Sequence, residues 1–241
     1  MRVLLLAGGR GRRLEPYTAI LPKPLAPIGE LPIIEIIVRQ LHRDGLTEVV
    51  ASIGHLGELI VAYFAARPLP RGLSLTFVRE TEPLGTAGPL SLVARPGESL
   101  LVVNGDVLTE LRFDQVVATH EREKPAMTVA VNRRGLPIEF GVVEAEDGRV
   151  SSIREKPVIE HDCCMGVNVY GPEAIEIASR GGAVDFPDVV NELLGRSLAV
   201  RTHRFDGFWC DIGRRDDMVR ANEEFERRRD ALLPTGELEA M

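Results

Sequence analysis

The sequence lacks the cysteine and histidine patterns of a disulfide framework or a structural zinc site. It has only three cysteines in 241 residues, and because Cys163 and Cys164 are adjacent, the three cannot form a regular set of pairs. No C-x-x-C motif is present, and the five histidines include no H-x-x-x-H pair. We therefore expect free, buried or half-buried thiols rather than a metal centre held by thiolates.

Long apolar runs and an excess of positive charge are also absent. The apolar stretches are broken by charge or proline well before the roughly 18 residues that a membrane-spanning helix needs. The apolar run after Met1 is too short for a secretory signal peptide, which predicts a cytoplasmic location. With 29 Lys and Arg against 36 Asp and Glu, the net charge is −7, which argues against nucleic acid and anionic membranes as partners.

Glycine and proline, in contrast, are concentrated in one segment. Four glycines and five prolines fall within residues 8–32, together with Arg10, Arg12, Arg13 and Lys23. Glycine lets backbone N–H groups approach an anionic oxygen, and proline lowers the entropy lost when a loop is fixed over a ligand. The segment matches neither a Walker loop nor the dinucleotide fingerprint. It predicts a local polyphosphate site, with a solvated turn of basic residues as the alternative.

The hydrophobic pattern predicts an α/β fold. Residues 3–7 form a continuous apolar run bounded by glycine, which is typical of a strand buried on both faces. Strands and helices alternate through the first hundred residues, which indicates crossover helices, and strands dominate after about residue 126, which indicates a mixed sheet. The predicted strands are 3–7, 49–53, 73–78, 100–104, 127–131, 140–144, 149–154 and 165–170. The predicted helices are 32–44, 56–66, 87–94, 113–123, 172–179, 187–194 and 214–229.

We expect one domain, because the sequence shows no repeat of fixed period, no low-complexity linker and no break in composition. The folded domain is assigned to residues 1–231. A frayed tail is assigned to residues 232–241.

Several motifs resemble those of the sugar-1-phosphate nucleotidylyltransferases, and they occur in that family's order from residue 6 to residue 213. The first is L-A-G-G-R-G-R-R-L-E-P-Y-T at residues 6–18, followed by P-K-P-L-A-P at 22–27. The others are E-P-L-G-T-A-G (82–88), N-G-D (104–106), F-G-V-V-E (140–144), E-K-P (155–157) and F-W-C-D-I-G (208–213). The resemblance implies a single-domain, Rossmann-like α/β/α sandwich of GT-A type, with a mixed, mostly parallel sheet. It implies an enzyme that joins a nucleoside triphosphate to a sugar-1-phosphate and releases pyrophosphate.

The resemblance also implies roles for individual residues. Arg13 would hold the leaving pyrophosphate, Lys23 the phosphates beside it, and Lys156 the phosphate of the incoming sugar. Asp106 and Asp211 would share a Mg²⁺ ion, which needs only one or two carboxylates besides substrate phosphates. The nucleotide site is assigned to Leu6, Ala7, Gly8, Gly9, Gly11, Glu80, Gly85 and Gly88, and the sugar site to Gly141, Glu155 and Asn168. Trp209 is expected to pack and to position Asp211.

Glu80 is the residue on which the predicted nucleotide depends. A carboxylate only accepts hydrogen bonds, and guanine presents two adjacent donors, N1–H and the 2-amino group. Uracil and thymine would place a carbonyl against the same carboxylate. Residues 80–89 also look closest to mannose-1-phosphate and heptose-phosphate guanylyltransferases. We therefore expect GTP and a product of GDP-mannose or GDP-heptose type, with UTP or dTTP and a hexose-1-phosphate as the alternative.

Other functions remain as alternatives. A non-catalytic regulatory subunit that binds sugar nucleotides is disfavoured, because Arg13, Lys23 and both aspartates are present. A glycosyltransferase ranks lower, since the expected Asp-x-Asp motif is missing. The chain ends soon after residue 213, as in a minimal catalytic domain. A homodimer is left open, and the identity of the sugar is not determined by the sequence.

Overall fold

Seven strands form one mixed sheet, and six of them run in the same direction. The computed structural model of the chain describes residues 1–233. The order in the sheet is β12-β8-β11-β6-β1-β4-β5, and β11 alone runs antiparallel to its neighbours, which confirms the predicted mixed, mostly parallel sheet. In chain order, the strands are β1 (Arg2–Ala7), β2 (Pro27–Ile28), β3 (Leu31–Pro32), β4 (Glu48–Ile53), β5 (Ser74–Arg79), β6 (Leu100–Asn104), β7 (Val107–Thr109), β8 (Met127–Pro137), β9 (Val142–Glu146), β10 (Arg149–Arg154), β11 (Val158–Tyr170), β12 (Val200–Arg204) and β13 (Trp209–Asp211).

Helices cover both faces of this sheet. Successive residues of a strand point to opposite faces, so Val3 and Leu5 of β1 pack into one buried core, and Leu4 packs into the other. This double burial explains why β1 is apolar throughout, and it confirms the predicted three-layer sandwich. The helices are α1 (Ile33–Arg43), α2 (Gly57–Ala65), α3 (Phe113–Glu123), α4 (Pro172–Ala178), α5 (Phe186–Gly195), α6 (Arg215–Arg227) and α7 (Arg229–Leu232).

The limits of α1 follow from its flanking residues. Pro32 is extended and directly precedes the helix, and Gly45 adopts the left-handed conformation (φ 73°) that ends it. The sequence predicted the end of the helix at Gly45, and it placed Pro32 as the first helical residue, one position too early. The predicted helix at 87–94 is instead a short 3₁₀ helix at Gly88–Leu92, and the N–H groups of Ala87 and Gly88 at its start are hydrogen-bonded to the Val184 carbonyl.

Strands β8 and β11 continue beyond the sheet as a two-stranded ribbon that leads to a separate hairpin of β9 and β10. The sequence predicted only the buried parts of the two long strands, because their outer residues are largely polar and exposed. In the hairpin, Val143 pairs with Ile153 on one face, and both side chains are exposed. The opposite face carries an ion pair between Glu144 and Arg154.

The predicted boundary at residue 231 is wrong for the part of the tail that the structure describes. Leu232 and Leu233 are buried in the same core as α1, and the Gln40 side chain donates a hydrogen bond to the Leu232 carbonyl (2.8 Å). Two adjacent leucines gain more from burial in this core than from exposure to solvent. Residues 234–241 lie outside the described residues. Within residues 1–233, no helix is long and apolar enough to cross a membrane.

Candidate active site

A cleft of about 770 Å³ opens at the carboxyl ends of β1, β4, β5 and β6. After β1, the chain builds β4 and β5 on one side of that strand and then returns to place β6 on the other side. Ligands of α/β sheets bind at such a reversal, outside the carboxyl ends of the strands. The cleft lining includes Leu6, Ala7, Gly8, Gly9, Arg10, Arg12, Lys23, His55, Glu80, Gly85, Asn104 and Asp106.

The arginine-bearing loop follows β1 and contains a 3₁₀ turn at Arg12–Leu14. Gly11 takes the left-handed conformation (φ 62°) before this turn, and its carbonyl accepts a hydrogen bond from the Thr18 hydroxyl (3.0 Å). Arg10 and Arg12 line the cleft. In the described part of the chain, neither of these two side chains has a hydrogen-bond or ion-pair partner. The cleft therefore contains two cations that no carboxylate within residues 1–233 neutralises.

Arg13 points to a different part of the site. Its guanidinium carbon would lie 3.5 Å from a Cβ placed on Gly213, and Oδ2 of Asp211 would lie at the same distance. Arg13 thus lies near Asp211 and acts on its charge, and it does not line the cleft.

Lys23 and Asp106 form an ion pair at the end of the cleft. Lys23 lies in a 3₁₀ turn with Pro24, and Asp106 follows β6 after Gly105. The Gly105 N–H donates to the Leu6 carbonyl (2.9 Å), and a Cβ at this position would lie 2.6 Å from that oxygen. Only glycine allows this approach, which brings Asp106 to the loop after β1.

Asp211 is brought to Asp106 by two short strands that the sequence did not predict. Strand β13 pairs with β7, so that Asp211 lies opposite Val107, and the Ile212 N–H donates to the Asp106 carbonyl (3.0 Å). Three-residue strands carry too few positions for a recognisable period.

Trp209 fixes the other end of β13. Its indole N–H donates to the Met165 carbonyl (3.0 Å), which an irregularity in β11 exposes between Cys164 and Asn168. The Arg134 guanidinium lies 4.7 Å from the Trp209 ring centroid and donates to the Trp209 carbonyl. The predicted packing role of Trp209 agrees with these contacts, whereas no sequence signal pointed to Arg134.

The electrostatics of this region fit a divalent cation. Loss of hydration raises the pKa of Asp211, and the charge of Asp106 raises it further, while Lys23 and Arg13 act in the opposite direction. The Oδ1 atom of Asp106 is buried and has no hydrogen-bond partner among the residues that the structure describes. A cation between the two carboxylates would relieve both penalties. Within residues 1–233 no cluster of three His, Cys, Asp or Glu exists, so the remaining ligands would be phosphates and water.

Glu80 lines the cleft directly after β5 and is half-buried. The Ser52 hydroxyl donates a hydrogen bond to Oε1 of Glu80 (2.7 Å), and the Glu80 N–H donates to the Ile53 carbonyl (2.9 Å). A Cβ placed on Gly8 would lie 2.3 Å from the same Oε1 atom. The carboxylate is therefore packed against the backbone of the loop after β1.

The loop that contains Gly85 and Gly88 is bound to the segment before α5. The N–H groups of Ala87 and Gly88 donate to the Val184 carbonyl (2.9 and 3.1 Å), and the Val184 N–H donates to the Leu84 carbonyl (2.9 Å). Gly85 lines the cleft, whereas Gly88 is buried against this segment and does not. Gly11 likewise shapes its loop without lining the cleft.

The predicted sugar-side residues lie elsewhere. Gly141, Glu155 and Lys156 are exposed at the base of the β9–β10 hairpin, where a Cβ on Gly141 would lie 3.0 Å from Oε2 of Glu155. Asn168 is buried in β11, and its Oδ1 atom accepts a weak hydrogen bond from the Cys164 thiol (3.7 Å). The structure places none of these four residues in the cleft lining, and their sugar contacts stay predictions.

Comparison with known proteins identifies the family. The model of the nucleotidyl transferase family matches residues 2–228. The chain belongs to the nucleotidyl transferase family. The resemblance inferred from the motifs is thereby confirmed.

Curated relatives of this nucleotidyl transferase include two eukaryotic enzymes. Mannose-1-phosphate guanyltransferase beta-B of Xenopus laevis is 31% identical over 231 residues, which cover 91% of this chain and 63% of the relative. Mannose-1-phosphate guanyltransferase of Schizosaccharomyces pombe is 32% identical over 234 residues, which cover 91% of this chain and 62% of the relative. The chain thus spans less than two thirds of the length of the relatives that it matches.

Solved structures support the fold of this nucleotidyl transferase. HddC from Yersinia pseudotuberculosis superposes with a TM-score of 0.73 at 22% identity, covering 93% of this chain and 99% of that one. The structure of HddC complexed with GMP-PN matches to the same extent.

Proposed function

We propose that this nucleotidyl transferase joins GTP to a sugar-1-phosphate, giving a GDP-sugar and pyrophosphate. The observation that carries the proposal is the grouping of Arg13 and Asp211 with Lys23 and Asp106, which line a cleft that also holds Glu80 and two arginines without an ionic partner in residues 1–233. In this arrangement, the cations would contact the phosphates and the two aspartates would bind the metal. Glu80 would accept hydrogen bonds from the base.

The reaction needs positioning and charge stabilisation more than a protein base or nucleophile. A phosphate oxygen of the sugar-1-phosphate attacks the α-phosphorus of GTP, a new P–O bond forms, and the bond to the bridging oxygen of the β-phosphate breaks. The leaving pyrophosphate carries away that electron pair. Arg10, Arg12 and Lys23 supply positive charge along the triphosphate, and Arg13 supplies it beside Asp211.

The metal that the family resemblance implies is Mg²⁺, and Asp106 and Asp211 would hold it. When bound, Mg²⁺ neutralises charge on the phosphate oxygens and helps to align the reacting groups. The ion pair with Lys23 holds Oδ2 of Asp106, and Oδ1, which has no hydrogen-bond partner within residues 1–233, would be the oxygen that binds the metal.

The choice of GTP rests on Glu80 and on the relatives. Glu80 presents a carboxylate in the cleft, which suits the two adjacent donors of guanine. The curated relatives are named mannose-1-phosphate guanylyltransferases, which supports a hexose- or heptose-1-phosphate of mannose type as the second substrate. Lys156, Glu155, Gly141 and Asn168 remain the predicted sugar side. A cytoplasmic location and a homodimer stay predictions from the sequence.

The test is a screen of purified protein with Mg²⁺ that crosses GTP, ATP, UTP and dTTP with a panel of sugar-1-phosphates. We expect pyrophosphate release to be greatest with GTP and a mannose- or heptose-type phosphate. The absence of turnover with every pair of substrates would exclude the proposed enzymatic activity. Tight binding of a GDP-sugar without turnover would favour the non-catalytic regulatory subunit.

Replacing the acceptor at residue 80 tests the base assignment directly. In Glu80→Gln, one carboxylate oxygen becomes an NH₂ donor, which suits a carbonyl of uracil or thymine and not the donors of guanine. We expect the ratio of kcat/KM for GTP over UTP to fall by about 100-fold, because an unsatisfied polar group in a closed site costs about 1–3 kcal/mol. An unchanged ratio would show that Glu80 does not contact the base.

A further inference from the structure

We infer that Ser52 is a positioning residue that orients Glu80 for guanine and thereby sets the nucleotide specificity. The inference rests on the proposed function and concerns a residue outside the family motifs. It depends on three observations: the burial of Ser52, its hydrogen bond to Glu80, and the contact of Glu80 with Gly8.

Ser52 is an unusual residue for its position. It lies in the interior of β4, a parallel strand with neighbours on both sides, opposite Leu6 of β1 and Val78 of β5. Its side chain is fully buried, where apolar residues predominate because a hydroxyl without a hydrogen bond costs free energy. The hydroxyl makes one hydrogen bond to a side chain, which it donates to Oε1 of Glu80 (2.7 Å).

This hydrogen bond distinguishes the two carboxylate oxygens of Glu80. Oε1 is held between the Ser52 hydroxyl and the backbone at Gly8, where a Cβ would lie 2.3 Å away. Oε2 lies 3.2 Å from the same Cβ position and makes no hydrogen bond within the described chain. Because Glu80 lines the cleft, the free oxygen is the one available to the donors of a base. Ser52 thus keeps the acceptor in a fixed place before the nucleotide binds, which lowers the entropy lost on binding.

The Ser52 hydroxyl also fixes the orientation of the side-chain amide in a Glu80→Gln variant. A hydroxyl that donates to Glu80 can equally donate to the amide oxygen in the Glu80→Gln variant. That bond directs the amide NH₂ to the cleft, whereas a hydroxyl that accepts from the NH₂ directs the amide oxygen there, and in either case the hydroxyl holds the amide in one orientation. When Ser52 is replaced by a residue without a hydroxyl, the amide is free to rotate by 180°. Either its NH₂ group or its oxygen then faces the base. The effects of the two substitutions should therefore not be additive.

The experiment measures kcat and KM for GTP and UTP in the whole 241-residue chain. For Ser52→Ala we expect the KM for GTP to rise about tenfold with little change in kcat, and the GTP/UTP ratio of kcat/KM to fall about tenfold. Ser52→Thr keeps the hydroxyl and should restore most of the ratio. Ser52→Cys preserves the volume with a much weaker donor and should behave like Ser52→Ala, which provides a second variant should alanine disturb the strand.

Thr128→Val is the matched control. Thr128 is a fully buried hydroxyl in the same sheet, on β8, and it hydrogen-bonds to Nδ1 of His120 (3.0 Å) away from the cleft. Loss of the Thr128 hydroxyl should lower the free energy of unfolding at least as much as loss of the Ser52 hydroxyl does. It should not change the GTP/UTP ratio of kcat/KM. A ratio that changes equally in both variants would show a general effect of sheet stability and would overturn the inference.

Binding measurements separate this inference from the proposed reaction. Dissociation constants for GTP and UTP, measured by calorimetry on the same variants, do not require turnover. If the wild-type protein binds GTP selectively without turnover, the proposed reaction fails, and a fall of the ratio in Ser52→Ala still supports the inference. If the ratio is unchanged in Ser52→Ala, or if the wild-type protein shows no preference for GTP, the inference is wrong. In the Glu80→Gln background, Ser52→Ala should alter the ratio by a different factor than in the wild type.

Discussion

Arg12 and Arg13 are adjacent in the sequence and face different parts of the site. Arg12 lines the cleft and has no ionic partner within residues 1–233. Arg13 lies beside Asp211 and Gly213 and lowers the pKa of the Asp211 carboxyl against the effects of desolvation and of Asp106. The 3₁₀ turn at Arg12–Leu14 separates the two guanidinium groups. Under the proposed function, we expect a division of roles in which Arg12 binds the triphosphate and Arg13 acts where charge develops.

This division predicts different kinetic defects. Arg13→Ala should lower kcat by about 100- to 1,000-fold, the cost of removing one preorganised group that stabilises transition-state charge. Arg12→Gln should raise the KM for GTP by about tenfold with a smaller change in kcat, because it removes a contact present in both ground and transition states. Steady-state kinetics give both values, and thermal melting checks the fold. Equal effects on kcat in the two variants would contradict the division, and a large loss of stability in Arg13→Ala would indicate a structural role.

Residues of the site were predictable to different degrees. Glu80 could be predicted as a site residue because it is a carboxylate that lies five residues before Gly85 of a glycine-containing motif. The structure places it in the cleft. Ser52 has a weaker signal, a hydroxyl within the apolar run V-V-A-S-I of β4, which by itself reads as a tolerated core serine. Arg134 has none, because its partner Trp209 is 75 residues away and the contact depends on the register of β11.

At the scale of secondary-structure elements, the amino end of α5 carries both a helix cap and a loop anchor. Asp185 and Asp188 form a capping box: the Asp185 N–H donates to Oδ2 of Asp188 (3.2 Å), and the Asp185 side chain accepts from the backbone of residue 188. The same Asp185 carboxylate accepts hydrogen bonds from the Thr86 N–H (2.9 Å) and the Thr86 hydroxyl (3.1 Å). Helix α5 therefore holds the loop on which Gly85 faces the cleft.

The two aspartates allow a matched comparison. Asp185→Ala removes the cap and the loop anchor, whereas Asp188→Ala removes only its half of the capping box. Both should lower the free energy of unfolding by about 1 kcal/mol, the typical value of a helix cap. Only Asp185→Ala should also raise the KM for the nucleotide, by several-fold, because the loop at residues 84–88 loses its fixed position. Denaturant unfolding and nucleotide kinetics on both variants test this, and an equal rise of KM in Asp188→Ala would show that α5 as a whole, and not Asp185, controls the loop.

Long elements with a clear period were predictable, and short ones were not. The apolar run of β1 and the helix α1, with Pro32 before it and Gly45 after it, follow from local sequence. Strands β7 and β13 have three residues each, and their pairing joins segments a hundred residues apart. This long-range pairing brings Asp211 to Asp106. Local sequence patterns could not have predicted that the two aspartates lie together, and the proposed metal site was inferred from the motifs alone.

At the scale of the whole molecule, an acidic chain places three cations in one cleft, beside the carboxylates of Glu80, Glu82 and Asp106. The net charge of −7 disfavours long polyanions, because their binding depends on an extended basic surface. The sheet order places the loops after β1 and β6 side by side, so that Arg10, Arg12 and Lys23 act on one small volume. Small phosphorylated ligands can use this local charge while the remaining surface stays acidic.

The buried His120 and the half-buried His203 make the free energy of unfolding depend on pH. Burial lowers the pKa of His120, whose ring nitrogens hydrogen-bond to the hydroxyls of Thr128 (3.0 Å) and Ser99 (3.2 Å). Burial also lowers the pKa of His203, and the charge of Arg122 acts in the same direction. In the unfolded chain both groups titrate near the ordinary histidine value of about 6.5. As the pH falls below that value, the unfolded state binds protons before the native state does, so these histidines make the protein less stable in mild acid.

Urea unfolding at about pH 7.5 and about pH 5.5 tests this linkage. The wild-type protein should lose stability between the two values, and His120→Gln should lose less, because one of the two linked groups is gone. His120→Gln should also start from a lower stability at pH 7.5, since the Thr128 and Ser99 hydroxyls lose the ring as a partner. His161→Gln is the control: His161 is exposed on the outer ribbon of β11, and its replacement should leave the difference between the two pH values unchanged. If His120→Gln and the wild type lose the same free energy between the two pH values, His120 does not titrate with folding, and carboxylates elsewhere must account for the acid sensitivity.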